Sequence, residues 1–224
     1  MRRAALVLAI LLAGCGNDQP KELRLARGIA ASITGGRDAR PAPVPEGAPL
    51  SAALGLTRAQ IAAIGRPVLF AELRPQGRVA GLVADAGGAD GTRWITQDGI
   101  ALTERDGLVI ATRGLPGDLM SADVAEIAAA LRAGGAARAA RVHRYLDDSN
   151  RIVTRAWRCR IVPEGREEVT LPGGRQQLRR FRERCVGAQV AFDNFYWMSD
   201  GRVWQSIQHL GPGERVVRMQ LFAN

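Results

Sequence analysis

The sequence predicts a mainly β domain, an antiparallel sandwich or partly closed barrel of about ten strands with two or three short helices. Three observations carry this. Short runs rich in Val, Ile, Leu, Phe and Trp recur between clusters of Gly, Asp, Asn and Ser. The turn sequences Asp98-Gly99, Asp106-Gly107 and Ser199-Asp200-Gly201 sit between such runs, where tight hairpins need backbone with positive φ. Within Arg151–Ile161, Val153, Trp157, Cys159 and Ile161 fall on one face while Arg158 and Arg160 fall on the other, the period-two alternation of a half-buried strand.

Residues 1–14 read as a signal peptide. Arg2 and Arg3 form the positive end, and Ala4 to Leu12 form the apolar stretch, well short of the roughly 20 residues of a membrane span. Leu12-Ala13-Gly14-Cys15 resembles the lipobox of bacterial lipoproteins. The alternative is an ordinary secretory signal with a chance cysteine. The resemblance implies a covalent diacylglycerol and an N-acyl chain on Cys15, more than one chain being needed for stable anchoring. No other cofactor is expected. Gly16, rather than Asp, follows the cysteine, which implies the outer membrane with the domain facing the periplasm.

Residues 15–50 form a lipidated leash, a short helix and a proline-rich linker. Gly16 to Pro20 is polar, and Leu25, Ile29 and Ile33 space an amphipathic helix over Lys21–Ile33, ended by Gly35-Gly36. Pro41, Pro43, Pro45 and Pro49 make the next stretch extended. Residues 51–224 form the β-rich domain. Thr57 to Gln60 is a capping box that starts a helix stopping at Gly65. Strands follow at Val68–Arg74, Arg78–Ala84, Arg93–Gln97, Ile100–Glu104 and Leu108–Thr112. A helix capped by Ser121 or Asp123 carries the stripe Val124, Ile127, Ala128 and Leu131 and ends at Gly134-Gly135. The remaining strands are Arg141–Leu146, Arg151–Ile161, Gln177–Cys185, Val190–Trp197, Val203–Leu210 and Arg215–Phe222.

The formal charge of +9 becomes +7 without Arg2 and Arg3, and Lys21 is the only lysine, so the charge is almost all guanidinium. In an envelope compartment such a surface meets anionic head groups or acidic polysaccharide rather than nucleic acid. With Cys15 committed to lipid, Cys159 and Cys185 remain. An oxidising compartment favours a disulfide between them, worth about 3.5 kcal/mol on the chain-entropy model. The alternative is two buried free thiols.

No HExxH, CxxC, GxSxG or SxxK motif occurs, and His143 and His209 stand apart in sequence. His143 alternates with Val142 and Arg144, a structural or surface placement. No metal site is expected: Asp85 and Asp90 make a weak calcium pair, and Asp147-Asp148 sits in a turn where carboxylates cap backbone amides. Two features suggest contact with an anionic polymer. Arg113 lies in a Gly-containing loop, against the reading of that loop as a strand-to-helix connection. Arg180, Arg182 and Arg184 share a strand face beside Cys185, against the reading of a charged edge that resists aggregation. Phe192, Asn194 and Tyr196 alternate with Phe195 and Trp197, a strand covered on both sides or an aromatic platform for sugar rings.

The stretch Thr112 to Asp123 (TRGLPGDLMSAD) resembles the YjbF/GfcB family of bacterial lipoproteins. So do Trp94 with Asp98-Gly99, the run His143 to Asp147, the pair Cys159 and Cys185, and Asn194, Tyr196 and Trp197 before a turn with Ser206, Gln208 and Pro212 after it. His209 departs from the pattern, since an aromatic is more usual after Gln208. The resemblance implies an outer-membrane lipoprotein encoded with exopolysaccharide or capsule secretion genes, and no catalytic residue. The expected function is a non-enzymatic accessory in exopolysaccharide or capsule production and export. Its partners would be polysaccharide-export proteins or acidic polysaccharide. The alternatives are an envelope polysaccharide-modifying enzyme and a general envelope scaffold without polymer contact.

Overall fold

The computed structural model describes residue 44 and residues 47–74, 77–115, 117–147, 149–211 and 215–223. The expected signal peptide, Cys15, the expected leash, the helix expected over Lys21–Ile33 and most of the proline-rich stretch lie outside them.

Among the described residues, twelve antiparallel strands form one sheet that curls into a nearly closed barrel. In chain order they are β1 (Val68–Arg74), β2 (Arg78–Gly88), β3 (Gly91–Ile95), β4 (Ala101–Arg105), β5 (Leu108–Arg113), β6 (Leu119–Asp123), β7 (Ala137–Leu146), β8 (Ile152–Leu171), β9 (Gly174–Val186), β10 (Ala191–Ser199), β11 (Arg202–Gly211) and β12 (Arg215–Phe222). Nearly every neighbour in the sheet is also a neighbour in sequence; only β1 with β12 joins the two ends of the domain. Asp106-Gly107 and Asp200-Gly201 have positive φ at both residues, the backbone of a type I′ hairpin. Gly107 has a second reason to be glycine: a Cβ there would overlap Val203 on the opposite wall.

The strand expected to run into the second helix is interrupted by a further strand, β6, which pairs with β7. The barrel leaves its seam between β5 and β6, the two ends of the sheet, and side chains close it. Thr112, 2 % exposed, donates its hydroxyl to Asp118 Oδ1 (2.8 Å) and accepts the Leu119 amide (2.9 Å). Asp118 also accepts the amides of Gly114 and Leu115. Replacing Thr112 by valine keeps the shape, strands the Leu119 amide and removes one of the two hydrogen bonds to Asp118 Oδ1. The expected loss is about 2 kcal/mol, read from the urea midpoint.

Among the described residues, two helices and a 3-10 turn finish the domain. The 3-10 turn Leu50–Leu54 and helix α1 (Arg58–Ala62), with the expected Thr57/Gln60 capping box, lay Leu50 and Ile61 on Val68, Phe70 and Phe222 outside the barrel. Helix α2 (Ala125–Ala133) buries Ile127, Ala128 and Leu131 in the interior cluster of Trp157, Phe181, Tyr196 and Met198. Asp123 accepts the Ala125 amide at its start, and the Arg179 guanidinium donates to the Gly134 carbonyl at its end (2.8 Å), where the helix dipole is negative.

A second interior cluster gathers Leu69, Leu82, Trp94, Leu102, Tyr145 and Met219. Gln208, 1 % exposed, ties opposite walls together: it accepts the Val109 amide and donates to the Gly107 carbonyl. The β8–β9 hairpin is longer than its alternation suggests, and its register shifts between Pro163 and Gly165. Val169, Leu171 and Leu178 of its distal half cover Phe195, Trp197, Trp204 and Ile207 on the outer face of β10 and β11. The two-sided aromatic strand is therefore packed on both faces.

Candidate functional site

Strand parity sends Ala139, Arg141, His143 and Tyr145 into the barrel from β7, Phe181, Glu183 and Cys185 from β9, and Phe192, Asn194 and Tyr196 from β10. Arg141 and Glu183 meet as a two-pronged ion pair, Nε to Oε1 at 2.8 Å and Nη2 to Oε2 at 2.9 Å, at 1 % and 0 % side-chain exposure. Asn194 Nδ2 (2.8 Å) and the Tyr196 hydroxyl (2.7 Å) donate to Glu183 Oε2, and Arg141 donates to the Tyr196 oxygen. Asn194 in turn accepts the His209 amide. Both oxygens of the carboxylate are thus hydrogen-bonded, Oε1 once and Oε2 three times, as a buried charge requires.

His143 continues the network. Arg141 has only protons to give, so the contact from its Nη1 to His143 Nε2 (3.4 Å) makes Nε2 the acceptor and puts the ring proton on Nδ1. Nδ1 then donates to the Tyr145 hydroxyl (2.6 Å), which donates to the Leu210 carbonyl. Edge-on contacts from His143 to Trp157 and from Trp157 to Phe192, and the stacking of Phe192 on His209 at 4.2 Å, complete the cluster. Both histidines and both tyrosines of the chain meet here.

The electrostatics follow from burial. Burial opposes the charge on Arg141, but Glu183 and its hydrogen bonds outweigh it and hold the guanidinium charged. Burial and then the Glu183 charge push the Tyr196 phenol well up. Burial, the Arg141 charge and His209 lower His143 to about 2. At the β4 end, burial lifts the Glu104 carboxyl to about 7, with the Trp94 indole pulling weakly the other way.

The two groups drive stability in opposite directions with pH. An unfolded imidazole takes a proton below 6.5 while the folded one resists to about 2. The His143 contribution is therefore complete above 6.5 and drains away as pH falls. Glu104 stays protonated to about 7 while the unfolded chain ionises from 4.5. Its contribution is complete below 4.5 and lost as pH rises to 7. Between 4.5 and 6.5 the two slopes cancel. Glu104→Gln is expected to unmask a rise in stability across that window of about 1.4 kcal/mol per pH unit, read by urea unfolding at fixed pH values.

Cys159 and Cys185 are directly opposite on β8 and β9 and form the disulfide. Their sulfurs lie close enough to Glu183 to suggest a metal set, but the sulfurs are bonded to each other and offer no thiolate. The Cys185 sulfur sits 3.1 Å from Glu183 Oε1 with no proton to donate.

Other residues singled out from sequence fall elsewhere. Arg180, Arg182 and Arg184 do share the outer face of β9. Arg180 and Arg182 share Glu164, Arg180 also reaches Glu167, and Arg184 binds Asp193. Arg180 lies over the Phe195 ring (4.8 Å). Arg113 turns onto the carbonyls of Thr112 and Leu119. Asp85 and Asp90 face Arg93 and Arg105. Arg141 and Glu183 were not distinguished by the sequence, although their inward parity beside His143 and Cys185 was a readable signal. An outer groove of about 260 Å³ is lined by Arg58, Gln176 and Trp204 among others, and an open hollow of about 400 Å³ lies beside Trp157.

Fold and site define a disulfide-stapled antiparallel barrel whose interior holds a hydrogen-bonded Arg141–Glu183 ion pair. The chain belongs to the family described as group 4 capsule polysaccharide lipoprotein GfcB, YjbF, whose family model matches residues 32–222. Its fold is shared with the hypothetical lipoprotein YmcC from Escherichia coli K12, at 20% identity and a TM-score of 0.68, over 75% of this chain and 89% of that one. A putative exported protein with a YmcC-like fold from Bacteroides fragilis aligns at 12% identity and a TM-score of 0.25, over 70% of this chain and 93% of that one. No curated protein matches the sequence. No helix among the described residues is long and apolar enough to cross a membrane.

Proposed function

We propose that this chain is a periplasm-facing lipoprotein, anchored in the outer membrane by a diacylglycerol and an N-acyl chain on Cys15 after removal of residues 1–14. In this reading residues 15–50 are the tether and residues 51–224 the working domain. The domain is a non-enzymatic accessory in capsule or exopolysaccharide production and export, partnered by an export protein or the acidic polymer. The observation that carries it is the closed accounting of the polar core. Arg141, His143 and Tyr196 are strongly perturbed groups, of the kind that often mark catalysis. Here their hydrogen bonds run to one another, to Tyr145 and to Glu183 inside the barrel. That arrangement builds a rigid body to be positioned rather than a reacting centre. An acidic polymer meeting Arg180, Arg182 and Arg184, with Arg113 as a further contact, exchanges its own carboxylates for Glu164, Glu167 and Asp193.

Cys15→Ser is expected to move the chain from the membrane to the soluble envelope fraction with the Cys159–Cys185 disulfide intact. A variant that still sediments with outer membranes rejects the anchor. Deleting the gene is expected to reduce surface polysaccharide, and unchanged export rejects the accessory role.

A further inference from the structure

The outward face of β7 and β8 has an unusual composition. Its alternate positions from Arg138 to Leu146 and from Ile152 to Val162 hold arginine, aliphatic residues, alanine and one threonine, with no carboxylate. Arg138 stands directly opposite Arg160, which stands opposite Arg184 on β9. Like charges in register across strands repel. Arg184 has Asp193 to offset this, but Arg138, Arg144, Arg158 and Arg160 form no salt bridge among the described residues. The exposed large hydrophobics also gather on this side. Leu146 (44 %) and Ile152 (62 %) pair with each other at the hairpin end, Val186 (55 %) stands opposite Arg158, and Val190 follows β9. An outer strand face usually carries mixed polar residues to meet water.

We propose that this β7–β8 face docks on an anionic phospholipid surface. Arg138, Arg144, Arg158 and Arg160 would meet lipid phosphates while Leu146 and Ile152 enter the head-group boundary. Basic side chains near an anionic bilayer gain energy from its surface potential, and exposed aliphatic groups beside them gain from the interface. A hydrated acidic polymer would use the guanidinium groups and leave the aliphatic tip in water, so the combination favours lipid. The alanines Ala140 and Ala156 between the arginines keep the face low enough for head groups to approach. The inference adds an orientation to the tethered reading and does not depend on the lipid at Cys15.

The test uses residues 15–224 with Cys15→Ser, so that no acyl chain contributes. The chain is expected to co-sediment at low salt with vesicles of phosphatidylglycerol and phosphatidylcholine in equal parts, and not with phosphatidylcholine alone. Arg158→Gln with Arg160→Gln should weaken binding about thirtyfold. Leu146→Ser with Ile152→Ser should also weaken it, while Arg175→Gln with Arg202→Gln, on another face, should not. All of these positions are exposed or flank the core, and an unchanged urea midpoint checks the fold. Arginine variants of this face that bind like the parent chain overturn the proposal. So does binding that survives Leu146→Ser with Ile152→Ser and is competed away by purified acidic polysaccharide, which would make the face a polymer site. Failure here leaves the anchor untouched, because that is read by fractionating the lipidated chain.

Discussion

Replacing Glu183 by glutamine is expected to cost about 3–5 kcal/mol of stability, the largest effect of any single substitution considered for this protein. The reason is asymmetric. Arg141 is 1 % exposed, and its guanidinium cannot shed its proton. Glutamine leaves that charge inside the barrel facing a neutral amide, whose nitrogen meets a donor in either orientation: Arg141 Nε at the Oε1 place, or Asn194 and Tyr196 at the Oε2 place. A chain that unfolds with one broad transition at much lower urea is the expected result. A midpoint equivalent to a loss below about 1 kcal/mol would show that the pair contributes little. Removing both charges, as Arg141→Met with Glu183→Leu, is expected to cost less than Glu183→Gln alone, because paired buried charges are often no more stabilising than apolar residues of similar volume. That reversal separates a structural ion pair from a core that merely needs its volume filled.

Removing the disulfide, as Cys159→Ala with Cys185→Ala, is expected to lower stability by about 3.5 kcal/mol and the melting temperature by about 10 °C. The two cysteines are 26 residues apart and staple the β8–β9 hairpin. That hairpin supplies Trp157, Ile161 and Phe181 to the inner cluster and Leu171 and Leu178 to the outer one. Without the bond the unfolded chain gains the freedom of the intervening loop. Both sulfurs are buried, so a reductant is expected to act only through opening of the hairpin. Reduction is therefore slow in the native protein and fast in urea. Equal melting temperatures with and without reductant, with free thiols verified in the reduced sample, would contradict the staple.

Much of the fold was legible because antiparallel pairing of sequence neighbours is a local arrangement. Hairpin dipeptides fixed where the chain reverses, and alternation fixed which face of β8 is apolar. β6 escaped because Leu119–Asp123 has little alternation of its own and becomes a strand by pairing with β7 at the barrel edge. The distal β8–β9 hairpin escaped because Glu164, Glu167 and Glu168 read as a polar connection, while in the structure they bind Arg180, Arg182 and Arg175. The row of Arg180, Arg182 and Arg184 was correctly placed on one face, but the carboxylates that hold it come from β8 and β10 and carry no local mark.

By itself the sequence determined the β class, eleven of the strand positions, the capping box and the candidate cysteine pair. Each is a property of neighbours along the chain: spacing, turn chemistry and side-chain parity. Only the tertiary structure decided that the sheet curls until β5 meets β6. It also decided that Arg141 finds Glu183 across β8, 42 residues away, and that His143 is neutral in the core. Those outcomes depend on which strands become lateral neighbours. A buried charge is tolerable only where another strand brings the opposite charge to the same depth, so the alternation that points Arg141 inward cannot by itself reveal what awaits it there.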